Sequence, residues 1–328
     1  MLKILNVSDI HGSETCFRKF LNALTIYKAD VGILCGDLSG KMINPIVRQA
    51  DGSHVTTLMG QNRRAETEEE LEALEKDIAL IGNYHFRTDP DEMAELRAEG
   101  KTIEGRIDER ATKISLSAGK IDSLFEKLVV ERLQRWMELA EERLKGTGIE
   151  VYMSAGNDDL LAVDGVIDNS SIFTNPDMKK VMVKEFEMIS LSWSNPTPWD
   201  TARECSEEQL EEKIEGMVSQ VENMSTAIFN FHIPPYDTLL DQAPKLSDKL
   251  VPSTDETIPA GSKAVLESIK KYQPMLGLHG HIHESRGIVK IGKTICLNPG
   301  SEYSEGILRG VLVMIKKDKV KDYMFVSG

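Results

Sequence analysis

The sequence has no long hydrophobic run. Nowhere in its 328 residues does an apolar stretch approach the roughly 20 residues that cross a bilayer, so no membrane span is expected. The apolar start over 1–7 meets Ser8, Asp9 and His11 at once. That is too short for a signal peptide, and it reads as a buried strand. Cysteine is scarce: Cys16, Cys35, Cys205 and Cys296, with no CxxC pair. This excludes a disulfide scaffold and points to free thiols in a reducing cytoplasm, the expected compartment. Positive charge is in deficit, with 39 Lys and Arg against 53 Asp and Glu and a net charge of -14. That excludes a duplex-DNA binder with a broad basic face and argues against long nucleic acids as partners. No internal repeat and no low-complexity tract occur. What is present is 41% apolar residues, enough to build a core.

The first part of the chain predicts strand, helix, strand. Residues 2–7 form a strand. Residues 13–27 have helical spacing, with Phe17, Phe20, Leu21 and Leu24 on one face. Residues 31–35 form a second buried strand. This unit favours a parallel pair. From about 45 to 148 the composition shifts to Glu, Lys, Arg and Ala, with the acidic run 66–72. Leu124, Leu128, Leu133, Trp136, Met137 and Leu144 recur at helical intervals. The segment reads as several helices inserted after the second strand, a solvated hairpin or a lid. Strands are predicted again at 149–154, within 181–193, at 227–231 and 275–278, and in the tail at 287–290, 294–297, 310–315 and 321–326. Helices are predicted at 206–223 and 263–271. The whole reads as one domain, with a core of 1–44 and 149–328 around the insertion.

The chemistry-bearing residues share one kind of position. Five predicted strands end in candidate ligands: Asp9 and His11, Asp37, Asn157, His232, and His281 with His283. In open α/β sheets, ligands gather at the carboxyl ends of strands. Four of the seven histidines fall there, which scattered surface histidines would not do. Carboxylates mixed with imidazoles suit first-row divalent ions such as Mn, Fe, Zn, Co or Ni rather than Mg or Ca. Two such ions about 3.5–4 Å apart can share a carboxylate and a hydroxide, which supplies a nucleophile near neutral pH.

The order Asp9-x-His11, Gly36-Asp37, Gly156-Asn157-x-Asp159, His232, Gly280-His281-x-His283 resembles the calcineurin-like metallophosphoesterase family. The stretches 232–237, 195–199 and 298–301 are similar to its Icc-related bacterial and archaeal branch. The resemblance covers about 1–44 and 149–328. It implies a four-layer α/β/β/α sandwich with a two-metal centre, Mn foremost among the ions. It implies that Asp9, His11 and His283 hold one metal, Asn157, His232 and His281 the other, and that Asp37 bridges them. It also implies hydrolysis of a small phosphoester by a metal-bridging hydroxide, with Asp37, Asn157 and Asp158 as catalytic residues. Many members carry His where this chain has Asp158. A carboxyl is a poor proton donor near pH 7, so the reading favours phosphodiesters with stabilised leaving groups. The alternatives are a phosphomonoesterase or short-oligonucleotide nuclease on the same site, or an interaction scaffold using the insertion for a homodimer or another partner.

Other residues admit plainer readings. His279 reads as packed, or as hydrogen-bonded to a ligand. Asp159 orients the Asn157 loop or caps a helix. His54 and His85 read as surface histidines beside the insertion. Asn195, Trp199 and Tyr236 line a pocket or simply pack a rigid loop. Ser301 shapes a turn.

Overall fold

The first strand, Leu2–Val7 (β1), alternates its side chains between two cores. Ile4 joins one apolar cluster, Leu5 and Val7 another. The same alternation recurs in Val31–Cys35 (β2), where Ile33 and Leu34 part company, and in Glu150–Ser154 (β7), where Tyr152 and Met153 do. A strand covered on both faces needs a continuous apolar run rather than an alternating one, which is what the sequence supplies here. The computed structural model describes residues 1–98, 120–247 and 249–328.

Two six-stranded sheets are built this way. The first has the order β18-β17-β1-β2-β7-β8, adding Phe173–Thr174 (β8), Arg309–Lys316 (β17) and Lys319–Ser327 (β18). The β1-β2-β7 centre is parallel, with Ile4 opposite Val31 and Val31 opposite Glu150. The second has the order β15-β16-β14-β11-β10-β9. Its strands are Lys180–Val183 (β9), Phe186–Leu191 (β10), Ile228–Phe231 (β11), Leu276–Leu278 (β14), Gly287–Ile291 (β15) and Thr294–Asn298 (β16). Leu2, Ile4, Val31, Ile33, Met188, Ile228, Leu278 and Val313 belong to the core between the two sheets.

Helices cover the outer faces. Glu14–Ile26 (α1) starts at Ser13, whose hydroxyl accepts from the Cys16 amide, an N-cap that satisfies one free N–H. Its Phe17, Phe20 and Leu24 pack on the first sheet with Val163 and Ile167 of Ala162–Asp168 (α5). Glu207–Val218 (α6) and Lys263–Tyr272 (α7) cover the second sheet through Leu210, Ile214, Val265 and Ile269. The result is the α/β/β/α sandwich that the sequence motifs imply.

The segment read as purely helical differs. Ile43–Arg48 (β3), His54–Leu58 (β4), Gln61–Ala65 (β5) and Tyr84–Thr88 (β6) form a four-stranded sheet in the order β5-β4-β3-β6. The helix Glu68–Leu80 (α2) packs Leu71, Leu74 and Ile78 against it. The strands escape a periodicity search because β5 is Gln-Asn-Arg-Arg-Ala, with four exposed polar residues. The β4–β5 turn, Met59-Gly60, has positive φ at both residues, 50° and 74°, as a two-residue hairpin turn requires. The acidic run opens α2 with a capping box between Thr67 and Glu70, and Glu68, Glu69 and Glu70 face the positive end of the helix dipole. Two helices follow, Pro90–Ala98 (α3) and Lys120–Leu144 (α4); 99–119 of the insertion lie outside the described residues. Helix α4 belongs to the outer layer beside α1, with Trp136 stacked on Phe17 at 4.4 Å between ring centroids. A hairpin of Gln242–Leu246 (β12) and Pro252–Pro259 (β13) completes the elements. No helix among the described residues is long and apolar enough to cross a membrane.

Candidate metal centre

The parallel strands deliver their loops to one edge, and backbone hydrogen bonds continue the pairing past the sheet. Asp9 N–H donates to Gly36 C=O, His11 N–H to Asp37 C=O and Gly12 N–H to Leu38 C=O. Across the sandwich, Gly280 N–H donates to His232 C=O. These loops turn so sharply that four non-glycine residues take positive φ: Asp9 57°, His11 37°, Asp37 41° and His281 66°. Such conformations are uncommon and tend to cluster at functional sites. The glycines of the motifs make room for this convergence. A Cβ on Gly156 would stand 2.2 Å from Asp37 Oδ1, and one on Gly36 2.0 Å from His232 Nδ1.

All seven candidate ligands come together, with Asp158 beside them. Donor atoms of Asp9, His11 and His283 lie within 4.8 Å of one another, and so do those of Asp37, His232 and His281. The two groups meet at Asp37. Its Oδ2 is 3.6 Å from His11 Nε2, and its Oδ1 is 3.4 Å from His232 Nε2. His11 Nε2 and His283 Nε2 face each other at 3.0 Å, so both ring nitrogens are turned towards the same point. Asn157 Oδ1 lies 2.7 Å from His281 Nδ1 and 3.0 Å from His232 Nε2. The Asn157 amide is held by its other end, since Nδ2 donates to Thr201 Oγ1 at 2.9 Å and that hydroxyl donates to Glu204 at 2.6 Å. Asp9 takes the His281 amide N–H on its carboxylate, at 3.1 and 3.0 Å to its two oxygens. Its own carbonyl accepts from Ser301 Oγ at 2.5 Å, so Ser301 does more than shape a turn.

Burial and mutual charge set the protonation of the metal-free centre. Burial raises a carboxyl pKa, yet in Asp9 the His283 hydrogen bond and the charge of His232 outweigh it and keep the group ionised. Asp37 is likewise held low against burial, by the charge and hydrogen bond of His232. Burial pulls His281 down to about 3, helped by the charge of His232, so it is a neutral donor at pH 7. Burial, followed by the charge of Lys41, keeps His11 neutral too. His232 goes the other way. Burial opposes its charge, but Asp37 raises it to about 9. The mixed N/O donor set, largely buried, with Asp9 and Asp37 ionised and His11 and His281 neutral, fits two divalent cations, with Asp37 able to offer one oxygen to each.

Binding a metal at His232 must therefore displace its proton. Apparent metal affinity is expected to rise about tenfold per pH unit from pH 7 towards 9, and to flatten above it. Calorimetric titration with Mn in buffers of different ionisation enthalpy checks this. An affinity unchanged between pH 7 and 9, with no proton released, would contradict it.

Comparison with known proteins finds a relative and a shared fold. No protein-family model matches the chain. The chain is 31% identical over 173 residues to the uncharacterized protein MJ1162 of Methanocaldococcus jannaschii, a match spanning 52% of this chain and 70% of that protein. The chain belongs to the family of MJ1162. Its two six-stranded sheets, with helices on both outer faces, have the α/β/β/α architecture that the sequence resemblance implies. The crystal structure of TT1561 of Thermus thermophilus superposes with a TM-score of 0.53 at 13% identity, over 100% of this chain and 98% of its own. A further solved structure gives a TM-score of 0.56 at 14% identity, covering 95% of this chain and 94% of the other. At these identities the likeness is one of fold.

Within this family member, several supporting residues carry no sequence signal of their own. Lys41, four residues after Asp37, places its Nζ 2.9 Å from Asp158 Oδ2. Tyr303 lays its ring 4.6 Å from that of His11. Tyr84 accepts from the Gly40 amide at 2.8 Å. Arg132 of α4 is buried, and donates to the Gly12 carbonyl at 2.6 Å and the Asn83 carbonyl at 2.9 Å. The inserted sheet and α4 are thus bonded to the loops that present His11 and Asp37. Asp159 is no simple helix cap. Fully buried, it accepts from the amides of Leu38, Ser39 and Gly156 and from the Ser39 hydroxyl. His279 is packed, with Nδ1 2.9 Å from the Phe231 carbonyl. Burial lowers it to about 4. His85 faces Glu75 at 3.5 Å on the inserted sheet. Tyr236 lies under the Lys263 ammonium at 5.2 Å, and Trp199 is half exposed.

Proposed function

We propose that this protein hydrolyses a small phosphodiester at a dinuclear metal centre, with manganese as the preferred ion and the cytoplasm as its compartment. The observation that carries the reading is Asp37, whose two oxygens face two separate ligand groups. A single-metal site has no use for that arrangement. Asp9, His11 and His283 would hold one ion; Asn157, His232 and His281 would hold the other. When bound, two such ions activate water and neutralise phosphoryl oxygens.

The chain's own residues do the rest. Asp9 and Asp37 supply fixed negative charge, and Asp37, standing between the two ligand groups, would serve both ions. Thr201 and Glu204 keep the Asn157 carbonyl oxygen turned inward. Asp158 lines the centre, its amide donating to Asp37 Oδ1 at 3.0 Å and its carboxylate 4.0 Å from His11 Nδ1. Burial raises its pKa while the ammonium of Lys41 opposes the rise. A carboxylate paired in this way is a weak proton donor, which supports an ester whose leaving group departs as an anion, without a proton from Asp158. The four free thiols suit a reducing compartment.

The test is metal analysis by mass spectrometry beside assays of bis-p-nitrophenyl phosphate and p-nitrophenyl phosphate with added Mn. The expected result is close to two metals per chain and faster cleavage of the diester. Faster cleavage of the monoester overturns the diester assignment. Full metal occupancy with no turnover of any ester overturns the enzyme reading.

A further inference from the structure

We infer that Lys41 is a catalytic residue, its ammonium stabilising the oxyanion of the departing group by charge. The inference rests on the phosphoesterase reading above. It starts from the loop that carries Lys41. Between Asp37 and Lys41, the amides of Leu38 and Ser39 donate to Asp159 and the amide of Gly40 donates to Tyr84 Oη. These bonds to two different side chains anchor the backbone that leads into Lys41. A lysine that needed only solvent would not require such a mount. From it, Nζ reaches Asp158 Oδ2 at 2.9 Å, beside the ligand groups.

The pair sits at the mouth of the centre. The side chains of His11, His232, Asp9 and Asp37 are at most 4% exposed, whereas Asp158 is 19%, His283 25% and Lys41 37% exposed, so these three line the open side. An ester arriving from solvent meets the ammonium on its outer side. Burial weakens the hold of Lys41 on its proton, but the charge of Asp158 overcomes this and keeps the proton on. Lys41 thus offers charge and N–H donors rather than a proton. In the step itself, a water oxygen forms its bond to phosphorus as the bond from phosphorus to the ester oxygen breaks. The electron pair of the broken bond goes to the leaving oxygen, where the ammonium meets it. The attacking water gives up its proton to solvent, and the leaving oxygen later takes one from solvent. Preorganised donors at developing oxyanions are among the strongest contributors to such steps.

The test compares a series of aryl phosphodiesters, from p-nitrophenyl to phenyl leaving groups, on Mn-loaded wild type, Lys41→Met and Lys41→Arg. Metal content and Tm are measured alongside. Lys41→Met is expected to lose less than about tenfold on the nitrophenyl ester and about a hundredfold or more on the phenyl ester. The rate should therefore depend more steeply on leaving-group basicity, with metal content unchanged. Lys41→Arg should recover most of the phenyl-ester rate. Equal losses on all esters overturn the inference, because Lys41 would then act on the oxygens that stay with phosphorus. No loss, or loss of metal, overturns it as well. A wild-type protein inactive on every ester would instead bring down the phosphoesterase reading, and this inference with it.

Discussion

Replacing Asp37 with alanine should reduce bound metal from two ions per chain to one or none, and lower esterase activity by about a thousandfold or more. That is roughly 4 kcal/mol of transition-state stabilisation. The size follows from the position of the carboxylate. Its two oxygens face His11 and His232 separately, at 3.6 and 3.4 Å. Asp9, though 3.9 Å from His232, groups its donor atoms with His11 and His283. Losing a ligand from one group weakens one metal; losing Asp37 weakens both and removes what sets their spacing. Metal analysis and initial rates on a diester check this, with far-UV circular dichroism to show that the sandwich persists. Two metals and a near-native rate in Asp37→Ala would sink the dinuclear assignment.

Asp159→Ala is expected to give the largest loss of stability among site substitutions, about 2–4 kcal/mol in the metal-free protein at pH 8. The carboxylate accepts three backbone amides and a hydroxyl from two loops, and alanine leaves those donors buried without a partner. A repulsive effect partly offsets the loss. Burial, then the charge of Asp37, raises Asp159 to about 6. A carboxyl raised above its unfolded value of 3.8 stabilises the fold below that value, and the benefit disappears as pH rises through 6. The wild type therefore gains on going from pH 8 to pH 5 and the alanine variant does not gain from this group. The difference between them should widen by roughly 1 kcal/mol at pH 5. Urea denaturation at both pH values measures it. A loss that does not grow between pH 8 and pH 5 would show that the carboxylate is ionised throughout.

Much of the centre was legible in one dimension because its chemistry sits at strand ends. A buried parallel strand is a short apolar run, and the loop after it opens with the residues that leave the sheet. Asp9, Asp37, Asn157, His232 and His281 each follow such a run, so order and residue type carried the inference. The outer helices were legible for the same kind of reason, as with Phe17, Phe20 and Leu24 on α1. The inserted sheet was not. Strand β5 is exposed and charged, and its partner strands are too short to show a period against a background of Glu and Lys. The structural role of α4 was hidden too, because an amphipathic helix looks alike whether it lies on its own hairpin or on the main sheet.

The sequence alone determined which residues could hold metals, that there are enough of them for two ions, and that Asp158 stands where many members of the resembled family carry histidine. Those are matters of residue identity and local order. Tertiary structure alone decided that Asp37 faces both ligand groups, that Lys41 meets Asp158, and that Asp159, Tyr84 and Arg132 hold the ligand loops. Each of those contacts joins residues tens to more than a hundred positions apart. Nothing local encodes them. The Lys41 and Asp159 contacts arise because β2 and β7 lie side by side in one sheet, those of Tyr84 and Arg132 because the insertion packs on the same loops, and the approach of His232 to Asp37 because the two sheets bring their strand ends to one edge.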